Sequence, residues 1–80
     1  MKYVIVKAMS VEIAIMFPDV LTHDAFAQFS LVSAGKFDLT WNNDTSEFSV
    51  KAYGKSISLN LASRPEDASL IKAALSFKGF

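Results

Sequence analysis

Residues 54–75, which read GKSISLNLASRPEDASLIKAAL, carry the clearest structural signal in this chain. Apolar and polar residues alternate from Ser56 to Leu61, which is the period of a strand with one buried face. Ser63 then stands three residues before Glu66, the spacing of a capping box. In that motif the serine accepts from the first-turn amides and the glutamate reaches back to the serine N–H. The stretch therefore predicts a strand that runs directly into a helix.

The predicted helix has an apolar stripe for a sheet and a polar side for solvent. Its stripe consists of Ala68, Ile71, Ala74 and Leu75, whereas Arg64, Asp67, Ser69, Lys72 and Ser76 fall on the wet side. We expect the helix to lie across the apolar face of the sheet.

Two strands and a short helix are predicted before residue 30. Tyr3–Ala8 and Val11–Phe17 are rich in Val and Ile, and we expect them to pair as a hairpin around Met9 and Ser10. That turn has neither Gly nor Asn, so a bulge or a single bent strand is the alternative. Thr22 has the character of an N-cap and predicts a short helix from His23 to Phe29.

The middle of the chain predicts an antiparallel meander. Leu31–Trp41 has a strand pattern, and Gly35 inside it indicates a bulge or the close approach of another backbone. The turn formers Asn42, Asn43 and Asp44 lead into a strand from Ser46 to Tyr53. Gly54 then occupies the first position of a predicted type II′ hairpin turn. The return strand would close a three-stranded meander over residues 31–61.

Composition bounds the class of protein. The chain has 80 residues, half of them hydrophobic, which predicts one domain over residues 1–80. The predicted fold class is α+β, with an antiparallel sheet, the order ββαβββα and the C-terminal helix packed on one face. The absence of cysteine suits a reducing cytoplasm. Lys7 and Glu12 interrupt the apolar N-terminal stretch, so we expect neither a signal peptide nor membrane association.

The charged and reactive residues do not predict chemistry. Basic and acidic residues balance at eight each, which argues against direct nucleic-acid binding. His23 lacks an evident nucleophile to activate, and Asp19, His23 and Asp24 are a poor metal-ligand pattern. We therefore expect no enzyme, no catalytic residue, no cofactor and no metal.

A resemblance to known proteins rests on three segments: residues 58–68, SLNLASRPEDA, residues 32–35, VSAG, and the opening MKY. Together they resemble a group of small uncharacterised proteins of bacteriophages, prophages and related mobile elements, which share an SLxLxSRPEDA-like C-terminal segment. Members often carry Gly where Asn60 stands. The resemblance implies a small accessory protein made in the cytoplasm of a bacterial host cell. Many such proteins bind and block host machinery, anti-CRISPR proteins among them.

The leading functional hypothesis is an interaction protein that modulates or blocks a host protein complex. A small core does not easily enclose seven Phe, one Trp and two Tyr, so some aromatic surface should reach solvent. The predicted partner-binding residues are Lys36, Asp38, Trp41, Lys51, Tyr53, Arg64, Lys72 and Phe80. The alternatives are a small anion or nucleotide module near Arg64 and the helix start, or a phage structural accessory protein. An unpaired sheet edge leaves a homodimer open beside a monomer.

Overall fold

The computed structural model describes residues 1–76 as an α+β domain, which confirms the predicted fold class. A four-stranded antiparallel sheet has the order β2-β1-β3-β4, and two short strands form a second sheet. The strands are β1 Lys2–Ala8, β2 Val11–Phe17, β3 Leu31–Asn42, β4 Glu47–Tyr53, β5 Lys55–Ser56 and β6 Leu61–Ala62. A 3-10 helix at His23–Phe26 follows β2, and helix α1 spans Asp67–Ser76.

The predicted N-terminal hairpin is confirmed. β1 and β2 pair without interruption from Lys2 opposite Phe17 to Ala8 opposite Val11. The tight turn lacks Gly and Asn, and Met9 takes the positive φ of 60° that the turn requires. The Met9 side chain is almost fully exposed, so a methionine in this turn costs free energy through its backbone conformation and not through a steric clash.

The sheet is covered on both faces around β1, because Tyr3, Val4 and Ile5 are all buried although neighbouring side chains on a strand point to opposite faces. On one face α1 packs its Ile71 into a core built with Tyr3, Ile5, Ala14 and Phe37. On the other face Val4, Phe17 and Ala34 pack with Phe26 and Leu61. Chain segments outside the main sheet thus close the side that the helix does not reach.

The far half of β3 extends past the end of β1. β1 pairs with β3 only as far as Lys36, and the Met1 carbonyl accepts the next amide, from Phe37. Within the described residues, Asp38–Asn42 pairs with β4 alone. Residues 38–51 therefore form a two-stranded projection, here termed the hairpin arm, in a molecule that measures 40 × 25 × 22 Å. The Asn42 side chain closes its predicted turn by accepting the Asp44 N–H at 2.9 Å.

The prediction of a third meander strand after Gly54 is wrong. β5 pairs with β6, not with β4, and residues 57–60 between them form a turn in which Asn60 donates its N–H to the Ile57 carbonyl. Asn60 takes a φ of 55° and Ile57 is 85% exposed. Gly54 has a φ of 80°, but its carbonyl accepts the Ser63 N–H. An alternating pattern marks a strand only if a partner strand lies beside it, and here the chain turns back first.

The predicted start of the second helix and the predicted length of the first helix also need correction. The second helix begins at Asp67, and the Asp67 carboxylate, not Ser63, accepts the Arg64 N–H at 2.9 Å. Asp67 was expected on the wet side but has no exposed surface. The first helix is shorter than predicted and of the 3-10 type, and Thr22 precedes it without a side-chain cap hydrogen bond.

Candidate functional site

A network of polar side chains ties the start of α1 to the first two strands. The Tyr3 hydroxyl donates to Asp67 Oδ2 at 2.6 Å. Arg64 Nε donates to Asp67 Oδ1 at 3.0 Å, and Arg64 Nη2 lies 2.7 Å from Glu12 Oε1. The guanidinium thus bridges a buried carboxylate and a partly exposed one. This arrangement compensates the charge of Asp67, whose side chain is fully buried.

The network shifts the acid–base properties of its members. Burial, followed by the hydrogen bond to Asp67, raises the pKa of the Tyr3 hydroxyl far above its usual range. The hydrogen bond from Arg64 lowers the pKa of Glu12, and the hydrogen bond to Glu12 raises the pKa of Arg64. The three shifts keep Tyr3 protonated, Glu12 ionised and Arg64 protonated, which are the states in which these hydrogen bonds form. We term this network of Tyr3, Glu12, Arg64 and Asp67 the clamp, because it holds the start of α1 against the first two strands.

The clamp limits the role of Arg64 as a predicted partner contact or anion ligand. Its guanidinium already engages Glu12 and Asp67, and Glu66 Oε2 lies 3.7 Å from Nη1. Three carboxylates around one cation leave little positive potential for an incoming anion. The sequence-predicted anion position at the helix start is thus already occupied by carboxylates of the chain.

Four predicted contact residues lie together on the face of the sheet opposite α1. Lys36 stands opposite Tyr53, and Asp38 stands opposite Lys51 in the β3–β4 register. All four are exposed, and the Tyr53 hydroxyl donates to Asp38 Oδ1 at 3.4 Å. Desolvation and the neighbouring Asp38 raise the pKa of Tyr53. These residues form one polar surface, as sequence alternation indicated.

Trp41 and Lys72 lie on the other side of the hairpin arm. Trp41 stands opposite Phe48 and Leu39 opposite Val50, and the Lys72 ammonium lies 5.6 Å from the centre of the Phe48 ring. Trp41 is 59% exposed and Leu39 is 53% exposed. The predicted contacts are thus divided between two faces, and Phe80 lies outside the described residues.

A third cluster was missed at the sequence level. Lys2, Lys36 and Lys55 line one open groove of about 440 Å³ together with His23, Ser56 and Ser58. We term it the lysine groove. Lys2 and Lys36 stand directly opposite each other on β1 and β3. The two lysines are far apart in the chain, so only the β1–β3 register could have brought them together.

Two further kinds of site are absent among the described residues: a metal site and a membrane-spanning helix. Within residues 1–76, His, Asp and Glu side chains form no group of three or more that could hold a metal ion. His23 is buried, and its Nε2 lies 2.9 Å from the Gly35 carbonyl. No helix in this part of the chain combines the length and apolar character needed to cross a bilayer.

Comparisons with protein-family models, with curated proteins and with solved structures found no match to this chain.

Proposed function

We propose that this protein is a binding protein and not an enzyme, and that it docks the α1-side face of the hairpin arm onto a protein partner. The observation that carries the proposal is the exposure of Trp41 and Leu39 side by side on that face. Large apolar side chains in one exposed cluster are typical of interaction sites, with Trp the strongest anchor type.

The surroundings of this pair support docking. Phe48 and Val50 are half-buried across the strand pair and would form the floor beneath an inserted partner side chain. Lys72 adds a cation at the border of the patch. An apolar centre with a polar border is the usual composition of a protein interface.

The backbone of the arm offers a second mode of contact. β4 is an edge strand of the four-stranded sheet, and Asp38–Asn42 of β3 has no strand beside it other than β4 within the described residues. Free amides and carbonyls along such edges pair readily with an extended segment of another protein. Main-chain pairing would supply affinity, and Trp41 would supply specificity.

The resemblance to phage and mobile-element proteins directs the choice of partner. On this basis we propose that the partner is a protein complex of the bacterial host, and that the protein inhibits it in the manner of an anti-CRISPR protein. The polar face with Lys36, Asp38, Lys51 and Tyr53 would then contact a second region of that complex or remain in solvent. A role as a phage structural accessory protein would use the same arm on a virion protein.

The experiment uses a photo-crosslinking amino acid in place of Trp41 in the host cell, with the same group at the exposed Val20 as the control. We expect one discrete adduct from position 41 and none from position 20. The identified partner should form a complex of defined stoichiometry with the purified protein, and Trp41→Ser should weaken it by about tenfold or more. Equal binding by wild type and Trp41→Ser would refute the proposal. A crosslink to a second copy of the chain would instead identify a homodimer.

A further inference from the structure

We infer that the lysine groove is a binding site for a small phosphate-bearing ligand. This inference does not depend on the proposed protein interaction, because the groove is lined by β1, β3 and the β5–β6 region and not by Trp41 or Leu39. The chain has no net charge, yet this groove concentrates Lys2, Lys36 and Lys55. Charge segregation of this kind attracts anions to one place.

The lysines of the groove are placed where their charges repel each other. Lys2 and Lys36 are direct cross-strand neighbours, and like charges in such positions repel each other. Within residues 1–76, the ion pairs are formed by the Met1 amino group and by Arg64, and these lysines take no part in them. Lys2 donates one hydrogen bond to the Leu21 carbonyl, which leaves two of its three N–H donors for a ligand. A bound anion would remove the repulsion.

The groove also contains buried polar groups beside its lysines. His23 is 7% exposed and Ser56 is 3% exposed, yet both line it. The His23 Nε2 faces the Gly35 carbonyl, so this nitrogen carries the hydrogen and Nδ1 accepts when the ring is neutral. The Ser56 and Ser58 hydroxyls lie 3.4 Å apart, and the Asp24 carboxylate accepts from Ser58. Ser58 has thus given its one hydrogen to Asp24, whereas the Ser56 hydroxyl, whose contact with Ser58 is long, can turn to donate to a phosphate oxygen beside the ammonium groups.

Size and shape favour a small organic phosphate. The volume of about 440 Å³ falls within the range of small-molecule sites. Ile57 lies at the same groove with most of its side chain exposed and would cover an apolar or aromatic part of the ligand. A nucleotide combines both features, whereas inorganic phosphate or pyrophosphate would use the lysines alone.

Binding is tested by NMR titration of the full chain with pyrophosphate, adenosine diphosphate and adenosine in low salt. We expect amide shifts confined to the groove with both phosphate ligands, tighter binding of the nucleotide, and no binding of adenosine. Replacing all three groove lysines by Gln should weaken binding by about tenfold or more, since each charge-assisted hydrogen bond is a strong one. The matched control is Lys51→Gln, an exposed lysine outside the groove, which should bind as wild type.

Thermal unfolding shows whether the triple variant still folds. Removal of the Lys2–Lys36 repulsion should leave its Tm without ligand equal to or above that of wild type, and pyrophosphate should raise the Tm of wild type only. No groove shifts at millimolar pyrophosphate, or equal binding by the triple variant, would overturn the inference. Affinity that grows steadily with the length of a single-stranded oligonucleotide would also overturn it, in favour of nucleic-acid backbone binding. If Trp41→Ser no longer binds the protein partner but still binds pyrophosphate, the lysine groove and the hairpin arm are separate sites.

Discussion

Tyr3 in β1 and Asp67 at the start of α1, which are 64 residues apart in the chain, share a buried hydrogen bond of 2.6 Å. Neither residue has exposed surface. The same carboxylate accepts the backbone N–H and the Nε–H of Arg64. One aspartate therefore fixes the helix start, the register of the helix on the sheet and the position of the arginine.

Asp67→Ala should strongly destabilise the fold, because it leaves the Tyr3 hydroxyl and part of the Arg64 guanidinium buried without an acceptor. Breaking such a buried charged network by removing one partner costs about 3–5 kcal/mol. Urea unfolding followed by circular dichroism measures the loss. The control Asp38→Ala, at an exposed position, should change the free energy of unfolding by about 0.5 kcal/mol or less. Equal urea midpoints for the two variants would contradict the role given to Asp67. If the alanine variant does not fold, Asp67→Asn keeps one acceptor oxygen and should show an intermediate loss.

The alkaline limit of stability should depend on Tyr3. Because the folded protein holds the pKa of Tyr3 well above the ordinary value of 10.0, the phenol stays neutral in the fold but ionises in the unfolded chain. Its contribution is complete below that ordinary value and decreases as the pH rises above it. The difference in free energy of unfolding between wild type and Tyr3→Phe should thus be constant from about pH 7 to 9 and shrink above about pH 10. Tyr53→Phe, at an exposed site, should change less over the same range. A constant Tyr3→Phe difference up to about pH 11 would argue against a buried neutral phenol.

The acid limit should depend on Glu12. Arg64 lowers the pKa of Glu12, so the carboxylate stabilises the fold above its unfolded pKa, and this stabilisation is lost as the pH falls through the folded value. Glu12→Gln should therefore be less stable than wild type at neutral pH, and the two curves should converge in acid. Glu47→Gln, in the exposed arm, measures the general effect of removing one negative charge. Parallel curves for Glu12→Gln and wild type down to about pH 2 would show that the Arg64 contact does not favour the ionised form.

Gly35→Ala and Gly54→Ala should destabilise the fold for different reasons. A Cβ at Gly35 would lie 2.5 Å from the Tyr53 carbonyl oxygen, which forces two backbones apart and should cost about 1–3 kcal/mol. Gly54 has open space around it but a φ of 80°, so alanine there should cost about 1–2 kcal/mol through conformation alone. Asn tolerates such a φ, so Gly54→Asn should recover part of the loss, whereas Gly35→Asn should be worse than Gly35→Ala. The urea midpoints of the four variants decide the matter, and recovery by asparagine at both glycines would contradict the steric argument.

Much of the fold was predictable because its signals are local. The Val- and Ile-rich strands on either side of Met9 could only bury their apolar faces by pairing. Asn42 favours the next turn because its side chain accepts the Asp44 N–H, although the positive φ of that turn falls on Ser46. The prediction of close backbone approach at Gly35 is confirmed by the position of the Tyr53 carbonyl. The helix stripe was identified correctly because its 3.6-residue period leaves Ile71 no other place.

The errors occur where a local signal competes with distant partners. In a capping box the Glu66 carboxylate would accept the Ser63 N–H, but here that N–H donates to the Gly54 carbonyl. The Asp67 carboxylate instead accepts the Arg64 N–H and the Tyr3 hydroxyl. The alternation from Ser56 to Leu61 satisfies a strand pattern, yet Ile57 is exposed in a turn. At the helix start, the Asp67 carboxylate accepts from more donors than the local motif would satisfy.

The spacing of residues along the chain was enough to predict the α+β class, the order of the elements up to β4 and the apolar stripe of the helix, since spacing sets which side chains share a face. Three features could be read from the folded structure alone: the burial of Asp67, the exposure of Trp41 and Leu39 on the hairpin arm, and the meeting of Lys2, Lys36 and Lys55 in one groove. The physical reason is that these features depend on strand register and on contacts between distant segments. Such contacts form only when burial of the whole core offsets the entropy of bringing the segments together.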